Sequence, residues 1–210
     1  RQTHPGCRMV AIKTNAPNNF DVDEMSKHLP SDVWVANVNS RTQVVFAGRS
    51  LTPEKIEQCR LLCGGDDAIA IPLHVKNAYH TPLMADARDD FQKTLEHIKT
   101  WKAVSADRLM YSNTLGGTID TERDTDTIDH LTDHGEDTED DDDDIKTSTS
   151  INYSSLLTRH MVEPVKFVQN IQTAYDNGAR VFVEFGPKST CTKFINNILE
   201  DKPETVFTVA

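Results

Sequence analysis

Long apolar runs are absent from the 210-residue sequence, and so is an N-terminal segment of the signal-peptide kind. A membrane-spanning helix needs about 18 uninterrupted apolar residues, and no stretch approaches that length. The first residues are polar and lack the apolar centre of a signal peptide. The sequence therefore predicts a cytoplasmic globular protein, whose 37% of hydrophobic residues can fill a core. Because the chain starts without methionine, we expect it to be a piece of a longer polypeptide.

Cysteine is scarce, with four residues in the chain. Cys59 and Cys63 are one helical turn apart on the apolar side of a predicted helix, and Cys191 lies in another amphipathic helix. Cysteines in such positions behave as small buried hydrophobic residues. We therefore expect reduced structural thiols and no metal site, whereas two disulfide bonds or a metal site are the less favoured alternatives.

Positive charge is not clustered, and negative charge is concentrated in one segment. Residues 118–145 contain 14 Asp and Glu against one Arg. The formal charge is therefore −11 for the whole chain but +2 for the residues outside this segment. Such a chain lacks the clustered Lys and Arg that bind DNA or RNA, and no nucleic-acid partner is expected. The segment at about 117–150 has too few apolar residues to fold, which predicts a disordered acidic insertion. A calcium site is less favoured, because the spacing lacks the glycine and final glutamate of a calcium-binding loop.

The first 75 residues alternate between strand and helix patterns. Apolar runs predict four strands, at residues 9–12, 33–38, 43–47 and 68–73. The middle two should pair as a hairpin. Helices are predicted at 21–29 and after Thr52, an N-cap that is followed by Pro53, with Gly64 as the stop signal. Strand, helix, strand, strand, helix, strand is the ferredoxin-like order, so residues 1–75 are expected to form a ferredoxin-like subdomain of an α/β protein.

Residues 76–210 form a second expected unit. Its predicted elements are helices at 84–98, 164–177 and 190–200 and strands at 109–111, 181–185 and 206–209. The strand at 181–185 is apolar on nearly both faces, which is typical of a strand covered by helices on both sides. The succession of strand, helix and strand indicates a crossover unit in a parallel sheet.

His80 is the candidate reactive residue. It stands in the run Asn-Ala-Tyr-His-Thr-Pro-Leu-Met (Asn77–Met84), between the last strand of the first unit and the long helix. Connecting loops are where scaffolds place reactive groups. A single histidine in a loop is nevertheless more often structural, so the position alone does not establish a role.

Five motifs, in one order along the chain, resemble those of malonyl-CoA:acyl carrier protein acyltransferases in polyketide and polyunsaturated fatty acid synthases. The His80 run resembles their Ala-Phe-His-Ser-Pro-Leu-Met, and residues 35–45 resemble their Asn-Ser-Pro-x-Gln-Val-Val hairpin. The other three are Tyr111–Asn113, Glu163–Phe167 and Val183–Lys188. The resemblance implies that residues 76–210 are the C-terminal part of a large, α/β-hydrolase-like acyltransferase subdomain.

The resemblance also implies a mechanism. In the family, malonyl-CoA acylates a serine in a Gly-His-Ser-x-Gly turn, and a histidine acts as the base; His80 matches that histidine. A neutral imidazole suits this task, because it exchanges protons near neutral pH. The chain contains no Gly-x-Ser-x-Gly, so the serine and the arginine that binds the malonyl carboxylate are expected upstream of Arg1. The main-chain carbonyl of His160 is expected to orient His80, and Tyr79 and Asn39 are expected to contact the substrate.

The implied function is transfer of malonyl from coenzyme A to the phosphopantetheine thiol of an acyl carrier protein, in fatty acid or polyketide synthesis. Malonyl-CoA is the substrate, and no covalent cofactor is expected. The implied partners are the carrier protein, the upstream half of the domain and neighbouring synthase domains. Two departures stand out: Arg41 replaces the family's proline, and Tyr79 replaces its phenylalanine. The alternative is a non-catalytic carrier-docking module in which His80 has lost its role.

Overall fold

The computed structural model describes residues 7–95, 109–119, 153–202 and 207–209, which form an α/β structure as predicted. In chain order the helices and strands are β1 (Cys7–Lys13), α1 (Val22–Ser26), β2 (Val33–Ser40), β3 (Gln43–Leu51), α2 (Pro53–Gly64), β4 (Ile69–Leu73), α3 (Ala85–Leu95), β5 (Tyr111–Ser112), β6 (Gly117–Thr118), α4 (Tyr153–Val162), α5 (Phe167–Asp176), β7 (Val181–Val183), α6 (Thr190–Ile198) and β8 (Phe207–Val209). The longest described helix, α2, has 12 residues, and none of the described helices could cross a lipid bilayer.

Four strands form one antiparallel sheet in the order β2-β3-β1-β4. Alternation along β1 gives the sheet two buried faces, with Val10 and Ile12 on the face that packs against the helices and Met9 and Ala11 on the other. The second face contacts Ala78, two residues before His80. The central strands are therefore buried on both sides, and the His80 loop lies against the face opposite the helices.

Helix α2 begins and ends where the sequence predicts. The Thr52 hydroxyl accepts a hydrogen bond from the Lys55 amide, Pro53 is the first helical residue, and the helix ends at Gly64. Cys59 and Cys63 are 0% and 1% exposed, and burial raises the pKa of both thiols to about 12. Both are free and buried, as predicted.

The prediction that Cys191 is buried is wrong. Cys191 is exposed, although it precedes the buried Ile195 by one turn and so lies on the same side of α6. Its position in the first turn of the helix explains the difference. At this end of the helix the described part of the chain leaves the thiol exposed.

The C-terminal part of the chain joins the sheet through the segment after α4. Val165 runs parallel to β2: its amide donates to the carbonyl oxygen of Ala36 at 2.8 Å, and its carbonyl accepts from Val38 at 2.9 Å. Helix α5 follows immediately and packs its buried side against the helical face of the sheet. This side consists of Val168, Ile171, Ala174 and Tyr175. The strand-like segment therefore positions the end of α4 beside the first unit.

The parallel pairing of β7 with β8 is as predicted, but the burial of these strands is not. A strand covered on both sides was expected at 181–185, but Val181 and Val183 are 60% and 54% exposed and Phe185 is 96% exposed. Phe207 and Val209 on β8 are exposed to a similar extent. The physical reason is that the described residues supply only two strands here, with too few neighbouring elements to cover them.

One further boundary differs, another lies outside the described residues, and one helix was not predicted. Gly117 and Thr118 form β6, which pairs with β5, so the acidic insertion starts later than residue 117; residues 120–150 lie outside the described residues. The predicted long helix is described as α3, while its expected end at Ile98 is also outside them. Helix α4 had no counterpart in the sequence prediction, although it carries His160.

Candidate active site

His80 has an unusual backbone conformation, with φ at +59°. Residues other than glycine enter this left-handed region at a cost of about 1–2 kcal/mol, so the surrounding contacts must hold His80 there. The first contact is the His80 amide, which donates to the carbonyl oxygen of Met161 at 3.1 Å. The last turn of α4 therefore fixes the backbone of the His80 loop.

The His80 ring is fixed by the same turn. Nδ1 of His80 lies 2.7 Å from the carbonyl oxygen of His160, which is the contact that the family resemblance implies. A carbonyl oxygen can only accept a hydrogen bond, so Nδ1 carries the proton and Nε2 of the neutral ring keeps its lone pair. The side chain is partly exposed. The geometry thus leaves Nε2 as the proton acceptor of this partly exposed residue.

Thr81 stabilises the His80 loop through its buried hydroxyl. Its side chain is 0% exposed; Oγ1 donates to the carbonyl oxygen of Ala78 at 2.7 Å and accepts from the amide of Leu83 at 3.3 Å. The second bond caps the short 3-10 helix Pro82–Met84 that leads into α3. Thr81 therefore ties the residues on both sides of His80 together.

The side chain of His160 also contacts His80. Their ring centroids are 4.9 Å apart with an interplanar angle of 62°, an edge-to-face arrangement. Nδ1 of His160 lies 3.3 Å from Oγ1 of Thr114, which is 1% exposed in the turn between β5 and β6. Burial, and then the proximity of His80, lower the pKa of His160. The His80 ring thus contacts the His160 ring, which in turn contacts the buried Thr114 hydroxyl.

The Tyr111–Asn113 motif fixes the position of the turn that contains Thr114. The Asn113 carbonyl accepts from the Lys166 amide at 2.8 Å, and its side-chain oxygen accepts from Asn170 at 2.8 Å. Gly116, at φ +76°, turns the chain so closely past α5 that a β-carbon would lie 2.6 Å from Oε1 of Gln169. The motif therefore anchors the turn that carries Thr114 to the start of α5.

Asn39 and Tyr79 have local partners. The Asn39 side chain donates to Oε1 of Gln43 across the hairpin at 3.3 Å, and Asn77 donates to the Tyr79 hydroxyl at 3.5 Å. The Tyr79 ring is 41% exposed beside His80 in the chain. Within the described residues, neither side chain is hydrogen-bonded to His80 or His160. The structure thus brings His80 and His160 into contact, and it shows local hydrogen-bond partners for Asn39 and Tyr79.

The remaining departure and the last motif have structural roles. Arg41, in place of the family's proline, forms an ion pair with Asp201 beyond α6. In the Val183–Lys188 motif, the Glu184 carboxylate accepts from the amides of Thr190, Cys191 and Thr192 and from the Thr192 hydroxyl, and so caps α6. The bonds from Thr192 lower the pKa of Glu184 most. These residues hold α6 in place and do not reach His80.

Three residues of this site were not predicted. Thr81, Thr114 and the carbonyl of Met161 position the two histidines; Thr81 acts on its near neighbours, whereas Thr114 and Met161 act through contacts across the fold. Two of them had a sequence signal, because Thr81 stands inside the His80 motif and Thr114 directly follows the Tyr111–Asn113 motif. Across the described ranges, no cluster of three His, Cys, Asp or Glu side chains could hold a metal ion.

Comparison with known proteins relates the chain to one class of enzyme. No family model matches it. It is 27% identical over 204 residues to one of the subunits of a polyunsaturated fatty acid synthase from a Thraustochytrium species, a match that covers 97% of this chain and 6% of that protein. It is 25% identical over 187 residues to the malonyl CoA-acyl carrier protein transacylase of Staphylococcus aureus (strain MSSA476), covering 87% of this chain and 50% of the enzyme.

The fold agrees with these sequence relatives. The structure of malonyl CoA-acyl carrier protein transacylase from Clostridium perfringens has a TM-score of 0.68 and 23% identity, covering 99% of this chain and 54% of that one. The chain thus spans about half the length of the transacylases that it matches. By sequence and fold, the chain is similar to about half of a malonyl CoA-acyl carrier protein transacylase.

Proposed function

We propose that this chain supplies the base of an acyltransferase centre that moves malonyl from coenzyme A to the phosphopantetheine thiol of an acyl carrier protein, in cytoplasmic fatty acid or polyketide synthesis. The observation that carries the proposal is the 2.7 Å contact between His80 Nδ1 and the His160 carbonyl, at a residue held in a left-handed conformation. Strained backbone and an oriented imidazole with an accessible Nε2 are typical of a catalytic base. The two transacylase relatives support the choice of acyl group.

The proton movements follow from this geometry. Nε2 of His80 takes the proton of a serine hydroxyl as the serine oxygen attacks the thioester carbon of malonyl-CoA. The imidazolium, held at Nδ1–H by the His160 carbonyl, then gives that proton to the departing coenzyme A sulfur. In the second half, the carrier's thiol gives its proton to Nε2 and attacks the acyl-serine, and the serine oxygen regains the proton. His80 is therefore unchanged after each transfer.

We propose that the serine, and an arginine that binds the malonyl carboxylate, come from a segment outside these residues. No Gly-x-Ser-x-Gly occurs in the sequence. The exposed apolar side chains of β7 and β8 are consistent with a further segment, because parallel strands are normally covered on both faces. In the same proposal, the β1–β4 sheet with α1 and α2 is a ferredoxin-like subdomain, and neighbouring synthase domains flank the whole.

Tyr79 and Asn39 are proposed as substrate contacts. Tyr79 directly precedes His80, and its ring is exposed enough to line the space in front of Nε2. Asn39 lies in the hairpin motif of the first unit, with its amide oriented by Gln43. Malonyl-CoA and the phosphopantetheine arm would then meet His80 between the two units.

The test uses two proteins: this chain, and an extended protein that includes a serine motif of the Gly-His-Ser-x-Gly kind. Each is incubated with malonyl-CoA, its intact mass is measured, and holo acyl carrier protein is then added. We expect a malonyl adduct on the extended protein, its transfer to the carrier thiol, and no adduct on this chain. Malonylation of this chain alone would contradict the proposal that the serine comes from a segment outside these residues. Binding of the carrier without any transfer by the extended protein would favour the docking-module alternative.

A further inference from the structure

His160 contributes to the site twice, once through its carbonyl and once through its ring. The backbone contact needs no particular side chain, yet the imidazole packs edge-to-face on the base at 4.9 Å. An uncharged ring there is harmless to an imidazolium on His80, whereas a charged one would repel it. The protonation state of His160 therefore matters for a step that charges His80.

Thr114 favours the neutral form of His160. Its hydroxyl is 1% exposed, and Nδ1 of His160 is its hydrogen-bond partner within the described residues. Donation from Thr114 requires a lone pair on Nδ1, which a protonated imidazole does not have. A buried hydroxyl without an acceptor is costly, so the pair is most stable when His160 is neutral.

The other residues around His160 offer little that would stabilise a positive charge on its ring. The cavity beside its ring, of about 240 Å³, is lined mainly by apolar and aromatic side chains, among them Leu156, Tyr111 and Tyr153. Arg159 on α4 pairs with Glu163, directly after the helix, at 2.8 Å. The ionisable residues of α3, which also packs on α4, are Asp86, Arg88, Asp89, Asp90 and Lys93. Arg88 and Lys93 pair with acidic neighbours on the same helix.

One feature opposes this arrangement. His160 is in the last turn of α4, where the helix dipole favours a cation. Burial and the neighbouring His80 act in the other direction, and their combined effect is the lowered pKa of His160. The balance therefore keeps His160 uncharged to a lower pH than an ordinary histidine.

We propose that the His160 imidazole is a positioning residue for the base: Thr114 holds it neutral against the His80 ring, and its charge state sets the acid limit of acyl transfer. This inference rests on the proposed function of His80. It assigns to Thr114 and to the His160 side chain a role beyond the carbonyl contact.

The test compares the pH dependence of kcat/KM for malonyl transfer in the extended protein and three variants. Thr114→Val removes the hydroxyl donor at nearly constant side-chain size. The fall of kcat/KM at low pH, the acid limb of the profile, should then move to higher pH by about one unit. In His160→Gln the carbonyl stays but no charge can form, so the acid limb should move to lower pH. Thr114→Ser keeps the hydroxyl and should keep the wild-type profile, even if Thr114→Val is poorly folded.

Thr158→Val is the matched control. Thr158 is on the same helix and 4% exposed, and its hydroxyl donates to the Ser155 carbonyl at 2.9 Å and not to either histidine. Its removal should leave the acid limb in place. If Thr114→Val, His160→Gln and Thr158→Val all lower kcat/KM equally at every pH, the proposal is wrong and these residues are only structural.

A second readout does not depend on activity. Diethyl pyrocarbonate modifies neutral imidazoles, and trypsin releases His80 and His160 in separate peptides, 77–88 and 160–166, each with a single histidine. The pH midpoint for labelling of His160 should rise in Thr114→Val and not in Thr158→Val. An unmoved midpoint would overturn the inference, whereas full activity of His80→Ala would overturn the proposed function instead.

Discussion

Removing the hydroxyl of Thr81 should release the His80 loop. Thr81→Val keeps the size of the side chain but loses the bond to the Ala78 carbonyl (2.7 Å) and the bond from the Leu83 amide (3.3 Å). Each buried hydrogen bond contributes about 1 kcal/mol, so local opening of the loop should become easier by about 2 kcal/mol, or about 30-fold. Thr81→Ser keeps the hydroxyl and loses one buried methyl group, worth about 0.8 kcal/mol or about 4-fold.

Hydrogen exchange measured by mass spectrometry reports this opening. The informative amides are those of His80 and Met84, which donate to the carbonyls of Met161 and Thr81. In Thr81→Val, peptides that cover residues 77–88 should exchange about 30-fold faster, while peptides of the β2–β3 hairpin should not change. Equal exchange in the valine and serine variants would refute the reasoning, because it would mean that the hydroxyl does not hold the loop.

Three further predictions concern other parts of the molecule. The extended protein should prefer malonyl-CoA over methylmalonyl-CoA by roughly 10- to 200-fold in kcat/KM, and Tyr79→Ser should narrow this ratio, since an extra methyl group would press against the ring; a ratio near one in the wild type would argue against a role for Tyr79. Glu184→Gln should lower the melting temperature above about pH 4.5, because the ionised carboxylate, whose pKa is lowered in the folded state, stabilises the fold. The difference in melting temperature should shrink as the pH falls further and the carboxylate becomes protonated; a pH-independent difference would count against the charged cap. At pH 8, iodoacetamide should label the exposed Cys191 well before Cys59 and Cys63, whose thiols react only on unfolding; equal labelling rates in the native protein would contradict their burial.

Local patterns predicted the first unit well. The β2–β3 hairpin follows from two apolar runs joined by a polar turn, and α2 follows from Thr52, Pro53 and Gly64, which act on their immediate neighbours. These signals depend on residues a few positions apart, so they can be read without knowledge of the tertiary structure.

The second unit was predicted less well, because its elements depend on distant contacts. Helix α4 follows the acidic segment, and its place is set by packing against α3 and by the Val165 contact with β2. The burial expected for residues 181–185 depends on elements that the described residues do not include. An apolar pattern predicts a strand, but it does not supply the neighbours that cover it.

The candidate site shows the same division. His80 and His160 were predicted from motifs, but the left-handed conformation of His80 goes with bonds to a helix 80 residues away. The edge-to-face packing of the two rings and the hydroxyl of Thr114 have no local signature at all. Positioning contacts of this kind are visible only once the chain is folded.

The most direct test of the account is the rate of serine malonylation in the extended protein with and without the His80 imidazole. Single-turnover acylation by saturating malonyl-CoA should fall by ~10²–10⁴-fold in His80→Ala, the loss typical of a general base. His74→Ala removes an exposed histidine at the end of β4 and should acylate at the wild-type rate. If His80→Ala acylates as fast as His74→Ala, His80 is not the base and the central claim is wrong.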